Sequence, residues 1–149
     1  MKIYVASSWR NGYQASVVHF LRALGHEAYD FKSPPEGNTG FRWSKIEKDW
    51  QEWGPREFIN ALDSQIAIRA FNADMDALKD CEACVLVMPS GRSAHLEAGW
   101  AKGAGKKVII YLPFLGLGEV ELMYKMADKI ATSLPEIQGA LENLKKEEP

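Results

Sequence analysis

Cysteine is nearly absent from this 149-residue sequence, with Cys81 and Cys84 the only two. A lone C-x-x-C lacks the second pair, or the spaced histidines, that a zinc site requires. It closes a helical pattern and runs into the strand-like Cys84-Val-Leu-Val-Met88, whereas a redox pair follows a strand and opens a helix. Two buried structural thiols are therefore expected, with no zinc site. Charge of one sign is missing as well. The 18 basic and 20 acidic residues leave a net charge of −2. No positive field exists to recruit a phosphate backbone, so a nucleic-acid polymer is not an expected partner. No apolar run approaches the roughly 20 residues of a membrane span. The longest, Val108 to Gly118, is broken by Pro113 and Gly116. The N-terminus has no charged segment followed by a long apolar one, so no membrane or secretion signal is read and the cytoplasm is the expected compartment.

What is present is a globular composition, with 46% apolar and 26% charged residues. At about 150 residues per domain the length predicts one domain, spanning residues 1–149. Ile3 to Ala6 reads as a short buried strand. A helix is expected from Tyr13 to Leu24, with Gly25 as its stop. Glu27 to Phe31 is a second strand. Residues 56–80 read as helical, with a break near Asp63-Ser64, and Pro55 fits the first helical position. Cys84 to Met88 and Lys107 to Leu112 are continuous apolar strands, separated by a helix from Ala94 to Ala104. A helical turn is expected over Glu119 to Ala127, a short strand at Lys129 to Ala131, and a last helix from Leu134 to Lys146. Strands that alternate with helices and carry unbroken Val/Ile/Leu runs must be covered on both faces. The fold class is therefore α/β, a doubly wound parallel sheet of Rossmann or flavodoxin type.

Residues 32–57 break this rhythm. They hold Pro34-Pro35, three glycines, ten charges, and Trp43, Trp50 and Trp53. Ser44-x-x-Glu47 has the form of a capping box and predicts a short helix with Ile46, Trp50 and Trp53 on one face. A 26-residue connection is long for a compact domain. Its tryptophans argue for order and its charges against a core element, so an ordered flap is expected. Trp43 is a candidate to stack on a flat ligand, and the alternative is a small cluster that pins the loop to the body.

Ligands of doubly wound sheets bind beyond the carboxyl ends of the strands. That directs attention to Ser7, Ser8, Trp9, Arg10, Asn11 and Gly12 after the first strand, and to Ser90, Gly91, Arg92 and Ser93 after the third. Ser93 is read as the N-cap of the following helix, which places Glu97 within about one turn of the helix start. An ionised carboxylate there is a candidate nucleophile. Asp74 shares a helix face with Leu78, which should point to the core, while Asp76 and Asp80 face solvent. His95 lies two residues before Glu97, on another face, and a structural or surface role is expected for it. The small residues Ala94, Ala98, Gly99, Ala101, Gly103 and Ala104 let this helix lie close to the sheet or to a partner.

Several pieces now combine. Lys2-Ile-Tyr-Val-Ala-Ser-Ser8, Asp74-x-x-x-Leu78, Ser93-x-x-x-Glu97-x-Gly99-x-Ala101 and Gly105-Lys-Lys-Val-Ile109 resemble, in order and spacing, the nucleoside 2-deoxyribosyltransferase family and its related nucleotide N-glycosidases. The resemblance covers most of the chain except residues 32–57 and the last helix. It implies that Glu97 attacks the anomeric carbon of a nucleoside or nucleotide and that Asp74 works at the leaving base. A glycosyl ester on Glu97 would then be resolved by a second base or by water, as in retaining glycoside chemistry, and the resemblance implies no metal and no redox cofactor. It also implies a homodimer or larger homo-oligomer in which a neighbour completes the site. Ser7 to Gly12 stands where the transferases often carry Gly-Pro or Ser-Pro. It is closer to the nucleotide hydrolases, whose Ser, Arg and Gly surround a 5′-phosphate. Gly91-Arg92 replaces an aspartate of the transferases. Glu121 falls where the hydrolases' neighbouring subunit touches phosphate, and a carboxylate there would repel it. Two other readings stand beside this one: a non-catalytic nucleotide-binding module, and an NAD-cleaving hydrolase that also uses a helix-borne glutamate.

Overall fold

The short apolar runs do become strands, because each is buried on both faces and only a parallel layer between helices can achieve that. The computed structural model describes residues 1–35, 39–116 and 120–146. Its strands are β1 (Lys2–Ala6), β2 (Glu27–Asp30), β3 (Ala83–Val87), β4 (Lys107–Tyr111) and β5 (Lys129–Ala131). They pair in parallel in the order β2-β1-β3-β4-β5. The helices are α1 (Gln14–Ala23), α2 (Pro55–Leu62), α3 (Gln65–Asp80), α4 (Arg92–Gly103) and α5 (Leu134–Lys146). None of the described helices is long and apolar enough to cross a membrane.

Strand alternation divides the core in two. Ile3, Val5, Val85, Val87, Ile109 and Tyr111 pack against Val17 and Leu21 of α1 and Ile137 and Leu141 of α5. The alternate residues Tyr4, Cys84, Leu86, Val108 and Ile110 are buried too. They belong to the other face, where α4 lies against β1, β3 and β4. Ala94, Ala98 and Ala101 form the buried stripe of α4. The exposed Gly99 and Gly103 meet no atom within 4 Å of a built Cβ. The alanines therefore bring α4 to the sheet, and the glycines leave its outer side open.

Both α1 and α4 stop by the same device. Gly25 and Gly105 have φ of 81° and 79°, a left-handed conformation that costs glycine nothing. The following turn is closed by Gly25 N–H to Arg22 O and His26 N–H to Leu21 O after α1, and by Gly105 N–H to Lys102 O and Lys106 N–H to Ala101 O after α4. The helical stretch is broken at Asp63-Ser64 as expected, and Ser64 Oγ accepts from the Ala67 amide at 3.2 Å to start α3. Pro55 opens α2 with Gly54 as its N-cap.

The chain forms two compact units: residues 1–30 with 78–149, which hold the sheet, and residues 31–77. The segment 32–57 lies in the second unit, which also contains α2 and most of α3. Residues 36–38 of that segment, and Glu119 where the helical turn was expected to begin, lie outside the described residues. Of that turn, a 3₁₀ turn over Leu122–Met126 is seen. The helix expected from Ser44-x-x-Glu47 does not form. Two 3₁₀ turns, Trp43–Lys45 and Trp50–Glu52, stand there without side-chain caps. Glu47 instead accepts a hydrogen bond from the Trp53 indole. Ile46, Trp50 and Trp53 recur at helical spacing, but none of them is buried, so no packed face extends a first helical turn. Trp43 packs edge-on to Phe41, Trp53 and Phe58 at centroid distances of 4.8, 5.8 and 5.7 Å.

Candidate active site

The strand order reverses between β1 and β3. The chain leaves β1 towards β2 on one side, then returns to place β3 on the other. The loops that follow these two strands therefore cannot cover the crevice at their carboxyl ends, which is where ligands of this fold bind. The candidate residues Ser7–Gly12 and Ser90–Ser93 occupy those loops.

Side chains of the first loop hold the second. Ser7 and Asn11 are 8% and 5% exposed. Ser7 Oγ donates to the Val87 carbonyl at 3.0 Å. Asn11 Nδ2 donates to Val87 O at 3.2 Å and to Pro89 O at 2.8 Å. The Asn11 carbonyl oxygen accepts from the amides of Tyr13 and Gln14 at 2.7 and 2.9 Å, at the start of α1. These two residues satisfy the last carbonyl of β3 and one carbonyl of the loop behind it. Trp9, Arg10 and Gly12 are exposed and Ser8 half-buried. On the β3 side Ser90 is half-buried, with a buried Oγ that has no hydrogen-bond partner among the described residues. Gly91, Arg92 and Ser93 are exposed.

The start of α4 corrects the sequence reading. Gly91 is the N-cap, no side chain caps the helix, and the first turn holds no acidic residue. Ser93 is inside the helix. Glu97 is consequently the sixth helical residue and sits in the second turn, where the helix dipole has largely faded. Its setting comes from the sheet instead. At about 100° per residue, Glu97 lies on one flank of the Ala94-Ala98-Ala101 stripe, and His95, Gly99 and Lys102 lie on the other. The second flank lines a cavity of about 180 Å³ with Val108, Ile110 and Tyr124, so it faces β4. Glu97, half-buried, thus falls on the flank towards β1, at the switch point. Burial pushes the Cys84 thiol of β3 well above its ordinary value, and the charges of Cys81 and Glu97 push it further. Neither buried cysteine is in a disulfide.

Glu121 is exposed and lines the cavity on the β4 flank. Its carboxylate accepts from the Met123 amide at 3.4 Å. Asp74, in the other unit, is half-buried on the face of α3 that also carries Leu78, 1% exposed, while Asp76 and Asp80 are exposed. Sequence reasoning missed Tyr124, whose hydroxyl lies 2.8 Å from His95 Nε2. Nothing in the spacing of residues 95 and 124 signals that pair.

No family model matches the sequence, and no curated protein matches it. Solved structures do. A 2-deoxyribosyltransferase from the psychrotolerant bacterium Bacillus psychrosaccharolyticus aligns over 93% of this chain and 90% of its own, with a TM-score of 0.61 and 20% identity. The CMP N-glycosidase of Clostridium botulinum aligns over 95% of this chain and 99% of its own, with a TM-score of 0.50 and 17% identity. The chain therefore has the fold of these two proteins, the same kinds of protein whose motifs its sequence pieces resemble.

Proposed function

We propose that this protein is an enzyme that cleaves or transfers the N-glycosidic bond of a nucleoside or nucleoside 5′-monophosphate. The observation that carries the reading is the half-buried Glu97 on the β1 flank of α4, beside the strand-order reversal. The shared fold and the motif order support it. The Glu97 carboxylate attacks the anomeric carbon, the carbon–nitrogen bond breaks, and the base leaves with the electron pair and takes a proton managed by Asp74. A second base or water then attacks the same carbon and releases Glu97, so configuration is retained overall. Ser8, Trp9, Arg10, Gly12 and Ser90 to Ser93 hold the substrate, with free amides at the uncapped start of α4 and two guanidinium groups suited to an anion. Ser7 and Asn11 position those loops. Trp43 is the aromatic this reading assigns to stack on the base. The same reading takes the protein as a homo-oligomer in which Glu121 reaches a neighbour's site.

The test incubates the protein with nucleosides, nucleoside monophosphates and NAD and measures free base. Base release from a nucleoside or nucleotide is expected. Glu97→Ala should lower it by about a thousandfold or more with the melting temperature unchanged. Turnover within tenfold of wild type would remove Glu97 from the chemistry. If Asp74 and Glu97 serve one sugar–base unit, the rate profile against pH is bell-shaped and Asp74→Asn removes one limb. Binding without base release would identify the non-catalytic module, and release from NAD alone the NAD-cleaving hydrolase.

A further inference from the structure

The first turn of α4 is poorly closed by its own backbone. The His95 amide reaches the Gly91 carbonyl at 3.4 Å, beyond the usual range for N–H···O, and no side chain caps the helix. The His95 ring supplies what the backbone does not, with Nδ1 2.7 Å from the same carbonyl. A carbonyl only accepts, so Nδ1 carries the hydrogen, and Nε2 of the neutral ring accepts from the Tyr124 hydroxyl at 2.8 Å. The two rings stack at 5.6 Å with planes 21° apart. The same hydroxyl lies 3.7 Å from Met88 Sδ, and Met88 is the residue before Pro89. One end of the 89–91 loop is thus held by His95 at Gly91. The other meets the phenol that holds His95.

We propose that His95 and Tyr124 are positioning residues that fix Ser90 to Ser93 for substrate binding, an inference that rests on the glycosyl-transfer reading above. Both lie on the β4 flank of α4, away from Glu97, and act through Gly91. Glu97 is one turn further on, where Ala94, Ala98 and Ala101 already seat the helix on the sheet. Loss of the clasp therefore loosens the loop and leaves the nucleophile in place.

The experiment measures KM and kcat separately for base release. His95→Ala should raise KM about tenfold and keep kcat within about threefold, the pattern of lost binding shared by ground and transition states. Tyr124→Phe keeps the ring stack and should raise KM by about threefold. His95→Asn carries an amide nitrogen near the place of Nδ1, so it should recover most of the KM. A merely structural role would shrink the folded fraction and lower apparent kcat with KM unchanged, and that result overturns the proposal. If the wild-type protein releases no base from any substrate, the glycosyl-transfer reading has failed, and hydrogen exchange then decides the clasp. His95→Ala should speed exchange of the backbone amides of residues 95 and 96 about tenfold, leave that of residue 97 unchanged, and keep the melting temperature. Unchanged exchange overturns it.

Discussion

In the unit that carries the sheet, every residue of β3 is buried and four of five in β1 and in β4. In residues 31–77 no large apolar side chain is fully buried, and Phe58, Ile59, Leu62, Ile66 and Phe71 are 43–65% exposed. The first unit is held by a two-sided core. The second is held by aromatic edges around Trp43 and by the Ser64 hydrogen bond at the start of α3. A segment that buries little of its apolar surface opens locally at low cost.

Three substitutions break or sharpen this contrast, from the largest effect to the smallest. Ile109→Ala, at a fully buried site in β4, should destabilise the whole protein by about 3–4 kcal/mol through lost transfer energy and a residual cavity. A denaturant midpoint is the measure, and a cost below about 1 kcal/mol would mean that the sheet core tolerates voids. Trp43→Ala removes the centre of the aromatic cluster and should cost about 2 kcal/mol, expressed locally. Amide exchange should accelerate across residues 41–58 and stay unchanged in β1 and β3. Equal acceleration in the strands would show the two units opening as one.

The smallest effect is pH-dependent. Asp128 Oδ2 accepts from the Val108 amide at 2.8 Å and from Lys102 at 2.9 Å. Burial pushes its carboxyl up, but the Val108 N–H and the Lys102 ammonium outweigh this, and the net value is lowered. A carboxylate whose folded value lies below its unfolded one adds stability above the ordinary carboxylate range and loses it as pH falls through the folded value. Asp128→Asn should therefore cost about 1 kcal/mol at neutral pH, since the site is partly exposed. The gap from wild type should close on acidification. A gap that persists at low pH would assign the effect to packing rather than charge.

Two identical short motifs show how far local reading reaches. Ser44-x-x-Glu47 was read as a capping box and makes none. Ser133-x-x-Glu136, not singled out from the sequence, starts α5. There Ser133 Oγ accepts from the Glu136 amide at 3.4 Å and Glu136 accepts from the Thr132 amide at 2.8 Å. The difference lies downstream, because Ile137, Leu141 and Leu144 recur at helical spacing and are buried. Ile46, Trp50 and Trp53 have the same spacing around Glu47, but they are only half-buried. A capping sequence marks a helix only where a packed face extends it.

The sequence by itself determined the alternation of strands and helices, the break at Asp63-Ser64, the stop at Gly25 and the inward cysteines. Each of these follows from periodicity or backbone preference over a few residues. It also placed Glu97 on the helix after β3. Tertiary structure alone decided the rest of the site. Gly91 rather than Ser93 became the N-cap, Ser7 and Asn11 turned to the carbonyls of β3, and His95 met Tyr124 across the β4 flank while Glu97 took the β1 flank. Those partners lie 76 to 80 residues apart for the Val87 contacts and 29 apart for the ring pair. Helical periodicity says which side chains share a flank. Only the order of the strands beneath says what each flank meets.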